Sequence, residues 1–130
     1  MRILIAEDDF ASRKVMQKFL SAYGECNVTI DGVEAVEAFI SALDSGNPYD
    51  LICLDVMMPK VDGIRALKSI RELESVRGIE GSDRVKIIVT TALANVDYIS
   101  SSFQTGLEAY VGKPVDFDEL LAAMKRLDVY

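Results

Sequence analysis

Short apolar runs and amphipathic stretches alternate along this chain. Arg2 to Ala6 is a short β-type run that leads directly into Glu7-Asp8-Asp9. The next segment places Val15, Phe19 and Leu20 on one face and Arg13, Lys14, Gln17 and Lys18 mostly on the other, which is amphipathic-helix spacing, and Tyr23-Gly24 ends it. Asn27 to Ile30, with Cys26, predicts a weak second strand. Asp31-Gly32 then turns the chain into a second helix carrying Val36, Phe39, Ile40 and Leu43, and Gly46-Asn47-Pro48 breaks it. Leu51 to Leu54 is a continuous apolar run delivering Asp55 at its end, with Pro59 in the loop beyond, a strand buried on both faces. Asp62-Gly63 opens a third helix with Ile64, Leu67, Ile70 and Leu73 at helical intervals. The charged stretch 74–84, with Gly78 and Gly81, reads as a mobile, solvated connection somewhat longer than such links usually need. Val85 to Thr91 predicts a fourth strand and Val96 to Phe103 a fourth helix. After Gly106 comes a short fifth strand from Glu108 to Val111, and then a last helix from about Asp116 that buries Phe117, Leu120, Leu121, Met124 and Leu127.

Five strands alternating with helices through short links define an α/β domain, with parallel strands, right-handed crossovers and helices on both faces of a doubly wound sheet. At 130 residues, 1–130 is expected to form a single domain able to bury its core without disulfides or structural metals.

Composition narrows the chemistry. The net charge of −7 repels phosphate backbones and anionic lipid, so no direct nucleic-acid or membrane partner is expected. No apolar run approaches the ~20 residues of a membrane span, and we read the chain as a soluble cytoplasmic domain. There is no histidine, which removes Ser-His-Asp triads, zincin motifs and a phosphohistidine carrier role. Cys26 and Cys53 sit in strand-like segments, where they read as small buried hydrophobes.

Every strand but the second ends in something polar: Glu7, Asp8 and Asp9, then Asp55, then Thr90 and Thr91, then Lys113. In a parallel sheet those ends share one edge, where open α/β sheets bind their ligands. Crowded carboxylates there suit a hard cation, Mg²⁺ above all, with Mn²⁺ able to substitute. An ionised Asp55 beside such a cation, an ammonium and a hydroxyl could attack phosphorus directly. Taken singly, an Asp pair after a strand is also a helix cap, a Lys-Pro pair a loop and a strand threonine a propensity choice.

Ile3-Leu4-Ile5-Ala6-Glu7-Asp8-Asp9-Phe10, Asp31-Gly32-Val33-Glu34-Ala35, Asp55-Val56-Met57-Met58-Pro59-Lys60-Val61-Asp62-Gly63, Thr91-Ala92 and Tyr110-Val111-Gly112-Lys113-Pro114, in that order over nearly the whole chain, closely resemble a response regulator receiver domain of the single-domain, CheY-like type. The resemblance implies a flavodoxin-like (βα)5 sheet in strand order 2-1-3-4-5. It makes Asp55 the phospho-acceptor and Lys113 the phosphate-pairing cation. Asp9 and Asp55 would bind Mg²⁺ directly, Asp8 through water, and the Met57 backbone carbonyl would complete the set. Thr91 would be the switch hydroxyl and Tyr110 the aromatic that follows it, with Thr90 pointing the other way. A cis Lys113-Pro114 peptide is implied as well.

By the same resemblance the phosphodonor is a histidine kinase or phosphotransfer protein. The output is a partner, of unknown identity, on the face made by the fourth helix, fifth strand and fifth helix (α4-β5-α5). The unphosphorylated protein is expected to be monomeric, catalysing nothing beyond its own phosphorylation and dephosphorylation. No effector domain is visible in the chain, so output is expected to pass through another protein. Met57 and Leu93 hold positions that govern water access in this family, and being apolar they imply slow self-dephosphorylation. Two other classes compete: a phosphatase with an Asp nucleophile, which lacks its second carboxylate because Met57 stands two after Asp55, and a non-phosphorylated receiver used as a binding module.

Overall fold

A computed structural model describes residues 1–58, 60, 62–92 and 108–130. The strands β1 (Arg2–Ala6), β2 (Glu25–Thr29), β3 (Leu51–Asp55), β4 (Lys86–Ala92) and β5 (Ala109–Lys113) form one parallel sheet in the order β2-β1-β3-β4-β5. Between them lie α1 (Phe10–Leu20), α2 (Gly32–Asp44) and α3 (Gly63–Val76), and a C-terminal helix spans Phe117–Arg126. The predicted helix from Val96 to Phe103 and Gly106 lie outside the described residues.

Alternating strand residues feed two core layers. On one face Leu4, Ile52, Leu54, Ile87 and Val89 pack with Phe39 of α2 and Ile64, Leu67 and Ile70 of α3. On the other, Ile3, Ile5, Cys53 and Ile88 pack with Met16 and Leu20 of α1 and with Leu120 and Met124 of the C-terminal helix. Helices therefore cover both faces, the doubly wound arrangement expected from the sequence. Among the described residues no helix is long and apolar enough to cross a membrane.

Three local readings are corrected. Val15 is 50% exposed, because the buried stripe of α1 runs through Met16 and Leu20, one helical turn apart, and Val15 stands a residue off it. Leu121 is only half-buried; the C-terminal helix turns Leu120, Ala123 and Met124 inward. The stretch 74–84 is solvated over most of its length, as expected, but its first residues are helical and Glu74 points inward. Helix α3 runs through Val76 and ends in a Schellman motif, with the Gly78 N–H donating to Ser75 O at 3.2 Å and the Ile79 N–H to Glu74 O at 2.9 Å. Gly78, at φ 73°, supplies the left-handed residue this motif requires.

Glu74 is buried; its Oε1 pairs with Arg71 Nη1 at 2.5 Å and its Oε2 accepts from the Val85 N–H at 2.8 Å. Arg71 Nη2 reaches Glu108 Oε1 at 2.7 Å, just before β5. Glu74 is thus the exception in that stretch, tying α3 to the start of β4, and Arg71 carries the tie on to Glu108 before β5.

Candidate functional site

The parallel register brings the C-terminal ends of β1, β3, β4 and β5 to one edge: Ala6 pairs with Leu54, Asp55 with Thr90 and Thr91 with Gly112. Glu7 follows β1 directly, and its side chain is buried. Lys113, at the end of β5, donates from Nζ to Glu7 Oε1 at 2.7 Å and lies 3.1 Å from Asp55 Oδ2. The other Asp55 oxygen, Oδ1, accepts from the Met57 N–H at 3.3 Å. Glu7, Asp8 and Asp55 each offer a carboxylate oxygen within 4.8 Å of the others.

This crowding sets the electrostatics. Burial, then the hydrogen bond and charge of Glu7, push Asp55 up to about 7, against the pull of Lys113. The sequence-based expectation of an ionised Asp55 is that of the carboxylate beside a divalent cation; without one, burial and Glu7 favour its protonated form. Burial works to lower Lys113, but the Glu7 hydrogen bond and the charges of Asp55 and Glu7 outweigh it and raise the amine overall. Glu7 Oε2 is buried without a hydrogen-bond partner. An unpaired buried carboxylate oxygen beside two more carboxylates is costly unless a cation answers it, so the donor set fits a hard divalent ion.

The predicted ligands are only partly brought together. Asp8 and Asp55 join the cluster, and Asp9 does not. Asp9 caps α1, its Oδ2 accepting from the Ser12 N–H at 2.8 Å; that bond first, and then the Ser12 side chain, hold its carboxyl below the usual range. Glu7, passed over as a ligand in the sequence, stands in the cluster instead. The legible signal was the strand end: with β1 running to Ala6, the next two residues stay over the sheet edge, and the third is free to start the helix. The cap pattern Asp-x-x-Ser was the second clue.

The remaining positions follow strand alternation. Thr91 is buried on the α2/α3 side with Val89, and Tyr110, opposite Val89, packs half-buried against that layer. The Thr91 hydroxyl donates to Ala92 O at 3.1 Å. Thr90 faces the other side, lining a cleft of about 310 Å³ between α1 and the start of the C-terminal helix, with Glu7 and Lys113 at its rim. The Lys113-Pro114 peptide is cis. Met57 is exposed, and Leu93 lies outside the described residues. A close approach locks the loop after β3: a Cβ at Gly63 would lie 2.1 Å from Asp55 O, and the Gly63 N–H donates to Val56 O at 2.9 Å.

A five-stranded parallel sheet in this order, with carboxylates and a lysine at its C-terminal edge, defines a doubly wound α/β domain of the flavodoxin-like kind. The family model for the response regulator receiver domain matches residues 3–125, and the chain belongs to that family, a signalling domain of two-component systems. It is 34% identical over 128 residues to two-component response regulator 24 of Arabidopsis thaliana, covering 98% of this chain and 84% of that protein. Against response regulator MprA of Mycobacterium it is also 34% identical, but there the chain spans about half, 50%, of the relative's length. Among solved structures, the receiver domain of sensor histidine kinase PA1611 from Pseudomonas aeruginosa, with a magnesium ion in its active-site cleft, matches at TM-score 0.75 and 29% identity, covering 97% of this chain and 95% of that one. The Saccharomyces cerevisiae complex of the phosphotransfer protein Ypd1 with the Ssk1 receiver domain matches at TM-score 0.77 and 26% identity, covering 92% and 83%.

Proposed function

We propose that this chain works as one receiver domain that accepts a phosphoryl group on Asp55 from a phosphohistidine, with Mg²⁺ as cofactor. The observation that carries the reading is that Lys113 bridges Glu7 and Asp55 while a third carboxylate, Asp8, stands within 4.8 Å. Glu7, Asp8 and Asp55 would hold the ion, with the Met57 carbonyl as a further ligand. Bound there, Mg²⁺ supplies the positive charge that a phosphoryl group needs on its oxygens during transfer.

The protein's own part is positioning and charge. A carboxylate oxygen of Asp55 forms the new P–O bond as the P–N bond to the donor imidazole breaks, and the imidazole leaves with that electron pair. Lys113, already 3.1 Å from Asp55 Oδ2, meets the charge on the phosphoryl oxygens. The Met57 N–H holds the other carboxylate oxygen in line. The donor is a histidine kinase or phosphotransfer protein. The Ypd1–Ssk1 complex and the magnesium in the PA1611 receiver support this reading through structures 26% and 29% identical to this chain. The compartment is that of the donor, the cytoplasm.

The added charge of roughly −1.5 to −2 then draws the Thr91 hydroxyl from its bond to Ala92 O, and Tyr110 on the same sheet face repacks behind it. Partner binding on the surface beside β5 follows by population shift. A phosphatase reading is disfavoured by Met57, which puts a thioether where a second carboxylate would have to stand.

Incubation with acetyl phosphate and Mg²⁺, followed by intact mass measurement, tests the assignment. A labile adduct of one phosphoryl group is expected on the wild type and none on Asp55→Asn or after chelation. An adduct that survives Asp55→Asn would overturn the proposal.

A further inference from the structure

Among the described residues of the loop from Asp55 to Gly63, one has a conformation its side chain does not favour. Lys60 has φ 67°, in the left-handed region that suits glycine or asparagine. Such a residue persists where its surroundings fix it, and here a side-chain contact reaches out from it. Lys60 Nζ lies 3.5 Å from Asp31 Oδ2; the lysine side chain is 69% exposed and the aspartate side chain only 4%.

Asp31 belongs to a rigid unit. Its Oδ1 accepts from the Glu34 N–H at 2.8 Å, and Glu34 Oε1 accepts in return from the N–H of Ile30, the residue before the cap, at 3.1 Å, a variant of the capping box at the start of α2. The Glu34 N–H first, with Lys60 adding to it, holds the Asp31 carboxyl below the usual range. The loop's own ends are fixed by the Gly63 N–H to Val56 O bond of 2.9 Å and by Asp62, which caps α3 through the Arg65 N–H at 2.9 Å. Between those ends stands Met57, whose N–H holds Asp55.

We propose that Lys60 is a positioning residue for the acceptor site: its ion pair with Asp31 ties the middle of the loop between β3 and α3 to the capping box of α2, and thereby sets the Met57 backbone against Asp55. The inference rests on the phospho-acceptor reading for its purpose, but the tie itself is a property of the metal-free protein. Because the ammonium is mostly in water the pair is weak, and its effect is on loop geometry more than on global stability.

The test uses Lys60→Met, Lys60→Gly, Lys60→Arg and Asp31→Asn, the last of which keeps a capping oxygen for Glu34 while removing the charge. Two measurements are made: hydrogen exchange of the Met57 amide in the metal-free protein, and Mn²⁺ affinity. Lys60→Met and Asp31→Asn are expected to speed Met57 exchange and weaken Mn²⁺ binding, each by about threefold, as suits a half-exposed pair. The double variant should be no worse than either single, and Lys60→Arg should restore both readings. Lys60→Gly should raise the melting temperature, by removing the left-handed penalty, while still weakening Mn²⁺ binding. A merely structural lysine would not split those two signs. Unchanged Met57 exchange in Lys60→Met and Asp31→Asn would overturn the inference. Wild type that binds no Mn²⁺ yet shows the exchange effect would overturn the phospho-acceptor reading and leave the tie standing.

Discussion

Asp55 is poised between two charge states because Glu7 and burial oppose Lys113. Its folded-state value of about 7 lies above the ordinary 3.8, so the metal-free folded protein holds the proton more tightly than the unfolded chain does. Stability in the absence of divalent ions therefore falls as pH rises from about 4 towards 7. Asp55→Asn keeps the shape and removes the charge, and an amide can donate to Glu7. It should raise stability above pH 7 by about 1 kcal/mol or more, with the gain fading towards pH 4, as read by urea denaturation at several pH values. A second residue-scale outcome separates neighbours in the acidic run. Asp8→Asn should cut Mn²⁺ affinity at least tenfold, the cost of about 1.4 kcal/mol of lost coordination, whereas Asp9→Asn, which keeps the cap on Ser12, should change it little. Asp55, Thr91 and Lys113 could be placed at one sheet edge from the sequence because each stands at or near the end of a recognisable strand, and Asp8 because it follows one. Glu7 was not read as a ligand because three consecutive acids leave the register open by one, and only the helix cap of Asp9 closes it.

At the scale of elements, the tightest constraint is the packing of α3 on the end of β3. Gly63→Ala puts a Cβ 2.1 Å from Asp55 O, which must displace the helix start or the acceptor strand. We expect a loss of about 2 kcal/mol or more, together with weakened Mn²⁺ binding, since the shifted backbone is that of Asp55 itself. The opposite end of α3 makes the other test. Arg71→Met leaves the buried Glu74 without its guanidinium partner and Glu108 with only the 3.5 Å contact of Arg84, and should cost about 3 kcal/mol in chemical denaturation, with little effect on metal affinity. The periodicity of α3 was visible as far as Leu73. What followed is mostly solvated, and Glu74 was read with it because composition cannot show that this one carboxylate turns inward to meet Arg71 and the Val85 N–H, the latter eleven residues on. The misplaced Val15 has a simpler origin: adjacent apolar residues on a helix differ by a third of a turn, and Met16 was the better phase.

For the whole molecule, alternation of apolar strands with amphipathic helices was enough to give a doubly wound parallel sheet, because strands buried on both faces leave few other ways to cover them. Strand order came from the family resemblance and not from periodicity, and the sheet follows it: β2-β1-β3-β4-β5. The same topology delivers the Asp55 carboxylate, the Glu7 and Asp8 carboxylates and the Lys113 ammonium from three strands to one edge. The proposed phosphoryl transfer depends on that convergence, and borohydride trapping probes it. Reduction of an acyl phosphate converts the modified aspartate to homoserine, which peptide mass mapping locates. After reaction with acetyl phosphate and Mg²⁺, homoserine is expected at position 55 and nowhere else, lost in Lys113→Ala or without divalent ion. Homoserine at another acid, or undiminished labelling at Asp55 without the ion, would contradict it.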